Sequence, residues 1–481
     1  METQIADSDV NKILTQMNSK KERETEDECE FPLYKKLKKK HYNYENNSSN
    51  FILTNPTYTQ QFSSIYSIRI SIMRKLLMKT LEKLNVEMYE DSKGGIKQEN
   101  DEDHKGNIKQ EIEENGKESK YHVLQYLKDI KINEKCYCIG TIFKKMDLRP
   151  SILKEYISEI DYLDTVINYS QDQDVLFFED ETARLKLEGN INSDHYVTGL
   201  TVIIKGVGMS NGSIYVDELI YAYLPKIEIP KCISNDDKYI LFVSGLFINE
   251  QNTNINNISL LRNFILGLHG DKFISQNLIR LVIVGNSLGN INTDVNDMNI
   301  IDTFLSSLCS SVYVDLMPGE KDPSDSTLPQ QPFPNMFFKK SKKYDSFQCV
   351  TNPYMFSIDD VNVCCMSGEP VNNITSFSKI TKLDALKMIA KSRILSPTSP
   401  DTLGCYPYID NDPFCIQDDN IYPHIFVNGN CSKLEMQYLE NENKLPFLVC
   451  LPDFSVTPKA LAINIKNMEY KIISFNIQEG E

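Results

Sequence analysis

The sequence predicts a mixed α/β chain built as two ordered bodies, a small β-barrel followed by a layered α/β sandwich. Three observations carry this. Five short strands with alternating faces crowd into roughly 90 residues between Ile132 and Leu224, the size of a Greek-key barrel. Beyond Pro230, the near-continuous apolar runs Tyr239–Ser244, Leu278–Val284 and Val312–Leu316 read as strands covered on both faces. Helical periodicity fills the intervals at Ser259–Leu268 and Val295–Leu308, and strands alternating with helices pack as layers.

In chain order, residues 1–50 are polar and are expected to be a disordered tail. The tail carries the basic cluster Lys35–His41 (KKLKKKH), compatible with a polyanion- or importin-binding motif and equally with a solvated charge run. Residues 51–93 hold an amphipathic helix. Its stripe runs through Phe62, Ile65, Tyr66, Arg69, Met73, Leu76, Leu77, Leu81 and Leu84, with Pro56 suited to the first turn. Such a stripe predicts packing across a domain. Residues 94–120 form a low-complexity acidic insertion, in which Gly95–Glu99 nearly repeats as Asn107–Glu111.

The barrel spans residues 121–230, with strands expected at Cys136–Phe143, Val175–Phe178, Ala183–Gly189, Leu200–Val207 and Ser213–Tyr221, and a helix at Ser151–Tyr156. Barrels of this oligonucleotide/oligosaccharide-binding (OB) type often take single strands in basic grooves. Here the loops carry Asp172, Asp174, Glu179, Asp180 and Glu181, which favours an interaction barrel. The sandwich spans residues 236–481. It adds strands at Phe347–Val350, Val361–Cys365, His424–Val427 and Phe447–Leu451, a helix at Lys382–Arg393, and a closing hairpin at Ala460–Phe475; Asn249–Asn257 expands its first crossover.

Bulk properties bound the function. The 481 residues are 41% hydrophobic and carry a net charge of −16, so the overall field repels a phosphate backbone. No apolar run is long enough to span a bilayer, and the polar, acidic Met1–Val10 predicts no secretory signal and no membrane partner. The 12 cysteines include no C-x-x-C; Cys136/Cys138 and Cys364/Cys365 lie inside strands and read as buried small hydrophobes.

A sandwich with loops at successive strand ends is the architecture of two-metal phosphoesterases, whose chemistry needs cations about 3.5–4 Å apart held by Asp, His and Asn. Each ligand station is recognisable and each is degenerate. Ser244-Gly245-Leu246 stands where Asp-x-His is needed, and Asn286 replaces the bridging Asp. Gly319-Glu320-Lys321 offers no His and places an ammonium where a dication would sit. Asn428-Gly429-Asn430 falls where a histidine pair is due, and this body contains only His269 and His424. Together the losses predict no catalytic residue, no metal and no cofactor. In the loop Met317–Pro332 (MPGEKDPSDSTLPQQP), Asp322 and Asp325 are better read as turn caps than as cation ligands, and Asp401 and Asp453 likewise.

These stretches also carry a family resemblance. FVSGL at Phe242, VGNSL at Val284, MPGEKDPSDSTLPQQPF at Met317, VTNPYMFSIDDV at Val350, MSGEPVNNI at Met366, SPTSPDTLGCYPY at Ser396, VCLPDFS at Val449 and GTIFKKMDLRPSILKEY at Gly140 resemble the small regulatory (B) subunits of DNA polymerase delta. The resemblance covers roughly Thr57 to Phe475, apart from the two insertions. It implies an OB-fold barrel docked on a calcineurin-like phosphoesterase sandwich that has lost its metal site. It also implies a nuclear scaffold in DNA replication and repair synthesis. Such a scaffold holds the C-terminal metal-binding module of the catalytic subunit and a third, accessory subunit, and meets DNA mainly indirectly. Within the shared loop, Asp322, Pro323 and Leu328, Pro329, Gln330, Gln331, Pro332 are candidates for facing a partner. The competing readings are a metal-dependent phosphoesterase or 3′ exonuclease, disfavoured by the missing ligands, and the corresponding small regulatory chain of another replicative polymerase. The basic tail, the insertions and the Lys339–Lys343 loop depart from the family pattern.

Overall fold

The computed structural model describes residues 42–54, 59, 61–84, 121–149, 168–229, 236–249, 255–288, 295–439 and 445–475. The basic cluster Lys35–His41, Pro56, the helix expected at Ser151–Tyr156 and the insertion 94–120 lie outside them.

The described chain begins with a correction. Residues 42–50, assigned to a disordered tail, form β1 (Tyr44–Asn46) and a 3₁₀ turn at Ser49–Phe51. Strand β1 adds antiparallel to the edge of the sandwich at Tyr354–Ile358. Its hold is aromatic and polar more than apolar: the Tyr44 hydroxyl lies 2.9 Å from that of Tyr354, and Ser48 exchanges 2.8 Å hydrogen bonds with the backbone of Met355. A polar segment can thus be ordered by partners that its own periodicity does not reveal.

Helix α1 (Ser63–Lys83) buries Ile65, Arg69, Ile70, Met73, Leu76, Leu77, Thr80 and Leu81, the i, i+3/i+4 stripe of an amphipathic helix. The stripe is narrower than the sequence suggests, since Phe62, Tyr66 and Leu84 are exposed. The helix packs on the barrel, whose strands are β2 (His122–Val123), β3 (Lys135–Lys145), β4 (Val175–Glu179), β5 (Arg184–Gly189), β6 (Thr201–Gly208) and β7 (Ser213–Ile220). All five expected strands are present as β3 to β7, β2 adds a sixth in the order β2-β3-β4-β5-β7-β6, and β3–β6 pairing closes the sheet.

The sandwich consists of two stacked six-stranded sheets. One is built on β8 (Tyr239–Val243), β9 (Leu278–Val284), β10 (Tyr313–Met317) and β11 (Phe347–Cys349), parallel throughout. The other takes β12 (Tyr354–Ile358), β13 (Val361–Met366), β14 (Ile425–Cys431), β15 (Glu435–Tyr438) and β16 (Phe447–Pro452), with β1 at its edge. The hairpin β17 (Lys459–Asn464) and β18 (Tyr470–Ser474) closes the first sheet beside β8. Helices α2 (Ile255–Ile265), α3 (Lys272–Asn277), α4 (Val295–Cys309), α5 (Glu369–Ser376) and α6 (Lys382–Ser392) complete the layers. Period-2 geometry explains the continuous apolar runs: Tyr239, Leu241 and Val243 pack in one core cluster with α2 and α4, while Ile240 and Phe242 join the inter-sheet core.

Barrel and sandwich dock through buried polar contacts. Arg69 of α1 bonds Asp412 at 2.6 Å and the carbonyls of Pro397 and Ser399 at 3.0 and 2.6 Å. Gly199, with φ +96°, comes so close that a Cβ there would lie 1.8 Å from the Pro397 carbonyl oxygen, so only glycine fits.

Candidate functional site

The loops at the carboxyl ends of β8, β9, β10, β14 and β16 converge at one end of the sandwich, where open α/β sheets place their ligands. The stretches Ser244–Leu246, Gly285–Asn286, Gly319–Lys321 and Asn428–Asn430 all arrive there. Gly245 donates to the Gly285 carbonyl at 3.0 Å, and its φ of +62° admits Asp453 against it; a Cβ would fall 2.4 Å from Asp453 Oδ1. Ser244 Oγ donates to the Pro452 carbonyl at 3.1 Å and accepts from Asn430 N at 3.0 Å. Leu246 is buried. Asn286 and Asn430 hold left-handed backbones with φ of 52° and 55°, a conformation asparagine tolerates.

One amide atom of each side chain engages neighbouring groups, while Asn428 Oδ1 and Asn430 Oδ1 are buried without a hydrogen-bond partner among the described residues. Asn286 Oδ1 accepts from Lys321 N at 2.9 Å, and Asn430 Nδ2 donates to the Ser367 carbonyl. Asn428 Nδ2 reaches the Gly429 carbonyl and Cys431 Sγ, each at 3.2 Å. Glu320 and Lys321 are exposed, and the Lys321 ammonium lies 5.3 Å from the centre of the Phe247 ring. Burial holds the Asp453 carboxyl above the usual carboxylate range, with Lys321 and Lys382 pulling it back.

Asp322 is the clearest case. Its side chain is buried, and the two oxygens accept from the amides of Leu288 at 2.8 Å, Gly319 at 3.0 Å and Ser287 at 3.2 Å. Three amides on one carboxylate make a cap that pins the loop after β10 to the loop after β9. Asp322 therefore caps backbone amides, as its Asp-Pro context suggests, but only Gly319 lies in its own turn and the other two amides belong to the loop after β9.

The rest of the loop folds inward. Leu328 is 1% exposed; its amide donates to Gly404 at 3.1 Å and its carbonyl accepts from Tyr406 at 3.0 Å. Gln330 pairs through its backbone with Asn352, at 2.8 and 3.1 Å, and through its side chain accepts from Asn352 Nδ2 at 2.7 Å and donates to the Asp325 carbonyl at 2.7 Å. Gln331 ties to Phe51 and Leu53 at 2.9 and 3.1 Å. The expectation that Leu328–Pro332 faces a partner is thus corrected for Leu328, Pro329 and Gln330, whose surfaces are used within the chain. Pro323, Gln331 and Pro332 keep partial exposure.

Neither histidine lies at these strand ends. His269 is exposed beyond α2, and His424 is buried before β14, accepting from Asn362 N at 3.0 Å and lying 3.2 Å from the Glu228 carbonyl. Among the described residues, no group of three His, Cys, Asp or Glu side chains is arranged to hold a metal ion. No helix among them is long and apolar enough to cross a membrane.

Sequence reading missed Glu369 and Asn352. Burial holds the Glu369 carboxyl above the usual range, and it accepts from Ser367 Oγ at 2.7 Å and Asn352 Nδ2 at 3.1 Å. Nothing in a Glu-Pro helix start distinguishes an enclosed carboxyl from an ordinary N-terminal acid. The barrel acids also behave differently from a free negative surface. Asp180 caps Leu127, Thr182 and Ala183, while Glu179, Glu181 and Asp174 pair with Arg184, Arg74 and Lys144. A cleft of about 330 Å³ between α1 and the barrel is lined by Tyr66, Phe143, Glu179, Glu181 and Asp401. Its carboxylates are paired, Asp401 with Arg149 at 2.9 Å.

Comparison with known proteins identifies the architecture. Residues 61–219 match the DNA polymerase delta subunit OB-fold domain, and residues 240–436 match the B-subunit family of DNA polymerases alpha and epsilon. The chain is 34% identical over 368 residues to the DNA polymerase delta small subunit of Arabidopsis thaliana, covering 72% of this chain and 83% of that one. It is 30% identical over 456 residues to DNA polymerase delta subunit 2 of Drosophila melanogaster, covering 90% and 97%. The DNA polymerase delta small subunit of Saccharomyces cerevisiae is 30% identical over 396 residues, covering 73% and 81%. The α1–barrel unit and the sandwich that follows it are accordingly one shared architecture, and the chain belongs to the family of DNA polymerase delta small subunits.

Proposed function

We propose that this chain is a non-catalytic scaffold of a nuclear polymerase delta complex, built on a phosphoesterase-type sandwich whose metal stations have become structural. In this reading it bridges the C-terminal metal-binding module of the catalytic subunit and a third accessory subunit, serves DNA replication and repair synthesis, and requires no cofactor of its own. The observation that carries the reading is the fate of Asp322. A carboxylate with three backbone amides on it has its lone pairs committed to holding two loops together. The family membership supports the polymerase; the buried Arg69–Asp412 link supports a barrel and sandwich that present one rigid surface.

The test is co-purification. A tagged full-length chain isolated from nuclear extract should bring down a large polymerase chain in near-equal amount. Recovery of folded tagged chain with no polymerase chain overturns the proposal. Cross-linking with mass spectrometry then tests the bridge: cross-links should join this chain both to the catalytic subunit's C-terminal module and to one further subunit.

A further inference from the structure

The loop joining β10 to β11 carries Met336, Phe337, Phe338, Lys339, Lys340, Ser341, Lys342, Lys343 and Tyr344. Four lysines in five positions make this the second dense basic run, after Lys35–His41, in a chain of net charge −16. All four are exposed, and none makes an ion pair with a carboxylate among the described residues. A solvated, mobile charge run would need no anchoring, yet this loop is held from beneath at several points.

Asp302 of α4 accepts from the amides of Lys340 and Ser341 at 2.7 and 2.8 Å, and from Ser341 Oγ at 2.7 Å. The carboxylate facing the lysines from the neighbouring helix is thereby occupied with backbone. Lys340 Nζ donates to Thr303 Oγ1 at 2.7 Å. Phe338 is fully buried between Phe333 and Phe347, with ring centres 6.0 and 5.2 Å away. The amides of Lys342, Lys343 and Tyr344 close short turns onto Phe338, Lys340 and Ser341. The lysines therefore project from two tight turns on a fixed base. Apolar groups flank them in the open: Met336 is 69% exposed, and Phe337 and Tyr344 are 37% exposed each.

We propose that this loop is a direct contact for single-stranded nucleic acid, the lysines engaging successive phosphates and the exposed rings of Phe337 and Tyr344 stacking on unpaired bases. Ammonium groups carried on an anchored backbone and without carboxylate partners cost little to bring onto a phosphodiester chain, because no internal ion pair must break. Solvent-facing rings beside them give every base a π face to meet, the arrangement of sequence-tolerant strand binding. An acidic protein segment would satisfy the lysines but give the two rings no planar partner. The inference goes beyond the scaffold reading, in which DNA is met through other subunits.

The test uses the full-length chain with a fluorescent 30-nucleotide thymidine oligomer, read by anisotropy from 25 to 200 mM KCl. Lys339→Ala/Lys342→Ala/Lys343→Ala should weaken binding by about tenfold or more at low salt and reduce the slope of log affinity against log salt by about 2, at roughly 0.7 per phosphate on a single strand. The matching triple arginine variant should keep both. Phe337→Ala/Tyr344→Ala should cost about fivefold or more on the oligomer and leave binding to a 30-base-pair duplex unchanged. Thermal melts of each variant, expected to match the parent, separate these effects from misfolding. Unchanged affinity and slope in the triple alanine variant would overturn the site. Equal losses on duplex for the ring variant would overturn the stacking half. Binding of poly-glutamate that disappears in the triple alanine variant, while the oligomer is unaffected, would make the partner an acidic protein and also overturn the proposal. Because the chain is tested alone, the outcome is independent of which polymerase co-purifies.

Discussion

Replacing Asp322 with alanine separates a structural carboxylate from a catalytic relic. The substitution leaves the amides of Leu288, Gly319 and Ser287 without their acceptor in a site whose side chain is 2% exposed. Each buried donor stripped of its partner costs about 1–3 kcal/mol, which bounds the total near 3–9 kcal/mol. Loop relaxation and water entry place the expected loss toward the low end, about 3–5 kcal/mol. Asp322→Asn keeps one acceptor oxygen, which can serve the Ser287 and Gly319 amides, and turns its NH₂ toward the Leu288 amide alone, so it should lose roughly half as much. Urea unfolding followed by far-UV circular dichroism and tyrosine fluorescence measures both, the chain having no tryptophan. A carboxylate kept for a cation behaves in the opposite way, since its removal tends to leave stability unchanged or raised. A loss below about 1 kcal/mol for Asp322→Ala would refute the capping argument.

Three further outcomes follow from the same geometry. Arg69→Met should destabilise the chain by about 3–5 kcal/mol by stranding the buried Asp412, and Arg69→Met/Asp412→Leu should recover much of it, as differential scanning fluorimetry would report. Gly199→Ala should loosen the barrel from the sandwich without unfolding the barrel, seen as faster proteolysis between the two bodies, because its methyl group collides with the Pro397 carbonyl. Burial lowers the pKa of His424 from its ordinary 6.5, with the nearby Asp360 carboxylate and the Glu228 carbonyl opposing. The unfolded chain then binds the extra proton first, so His424's contribution is present above about pH 6.5 and is lost as pH falls toward its lower folded value. A His424→Gln variant should flatten that part of the stability profile.

What the sequence reveals and hides follows the range of the interactions. Strands buried on both faces announce themselves by composition, so Leu278–Val284 is found at its observed ends. The closing hairpin is equally legible, its two strands being neighbours in sequence. That Ser244, Asn286, Lys321 and Asn430, and not imidazoles, stand at these strand ends is legible, because a residue type is a fact of the sequence. Asp322's three amides are not, since two come from a loop some thirty residues earlier. Burial of Leu328 and Gln330 is hidden for the same reason: Asn352, Gly404 and Tyr406 supply their partners. Arg280 looks out of place in an apolar strand until Asp315 appears beside it, with Tyr354 at 2.9 Å from the same carboxylate. Barrel acids that favour an interaction barrel by composition serve here as caps and ion-pair partners, which composition alone does not distinguish.

Strand β1 has a consequence for how the chain is made. The tyrosine hydroxyls that meet across it, on Tyr44 and Tyr354, are 310 residues apart in sequence. At roughly 5–20 residues per second, the ribosome releases the first roughly 15–60 s before the second. For that interval the segment has no sheet to join, and a greasy edge strand would be free to pair with a neighbouring nascent chain. Its Tyr-Asn-Glu-Asn-Ser composition keeps it soluble while it waits, which is why it looks like a tail. Once paired, it lays Tyr42 and Tyr44 over the Arg280 guanidinium, so a lesion in this short stretch should weaken the edge where the two sheets of the sandwich meet.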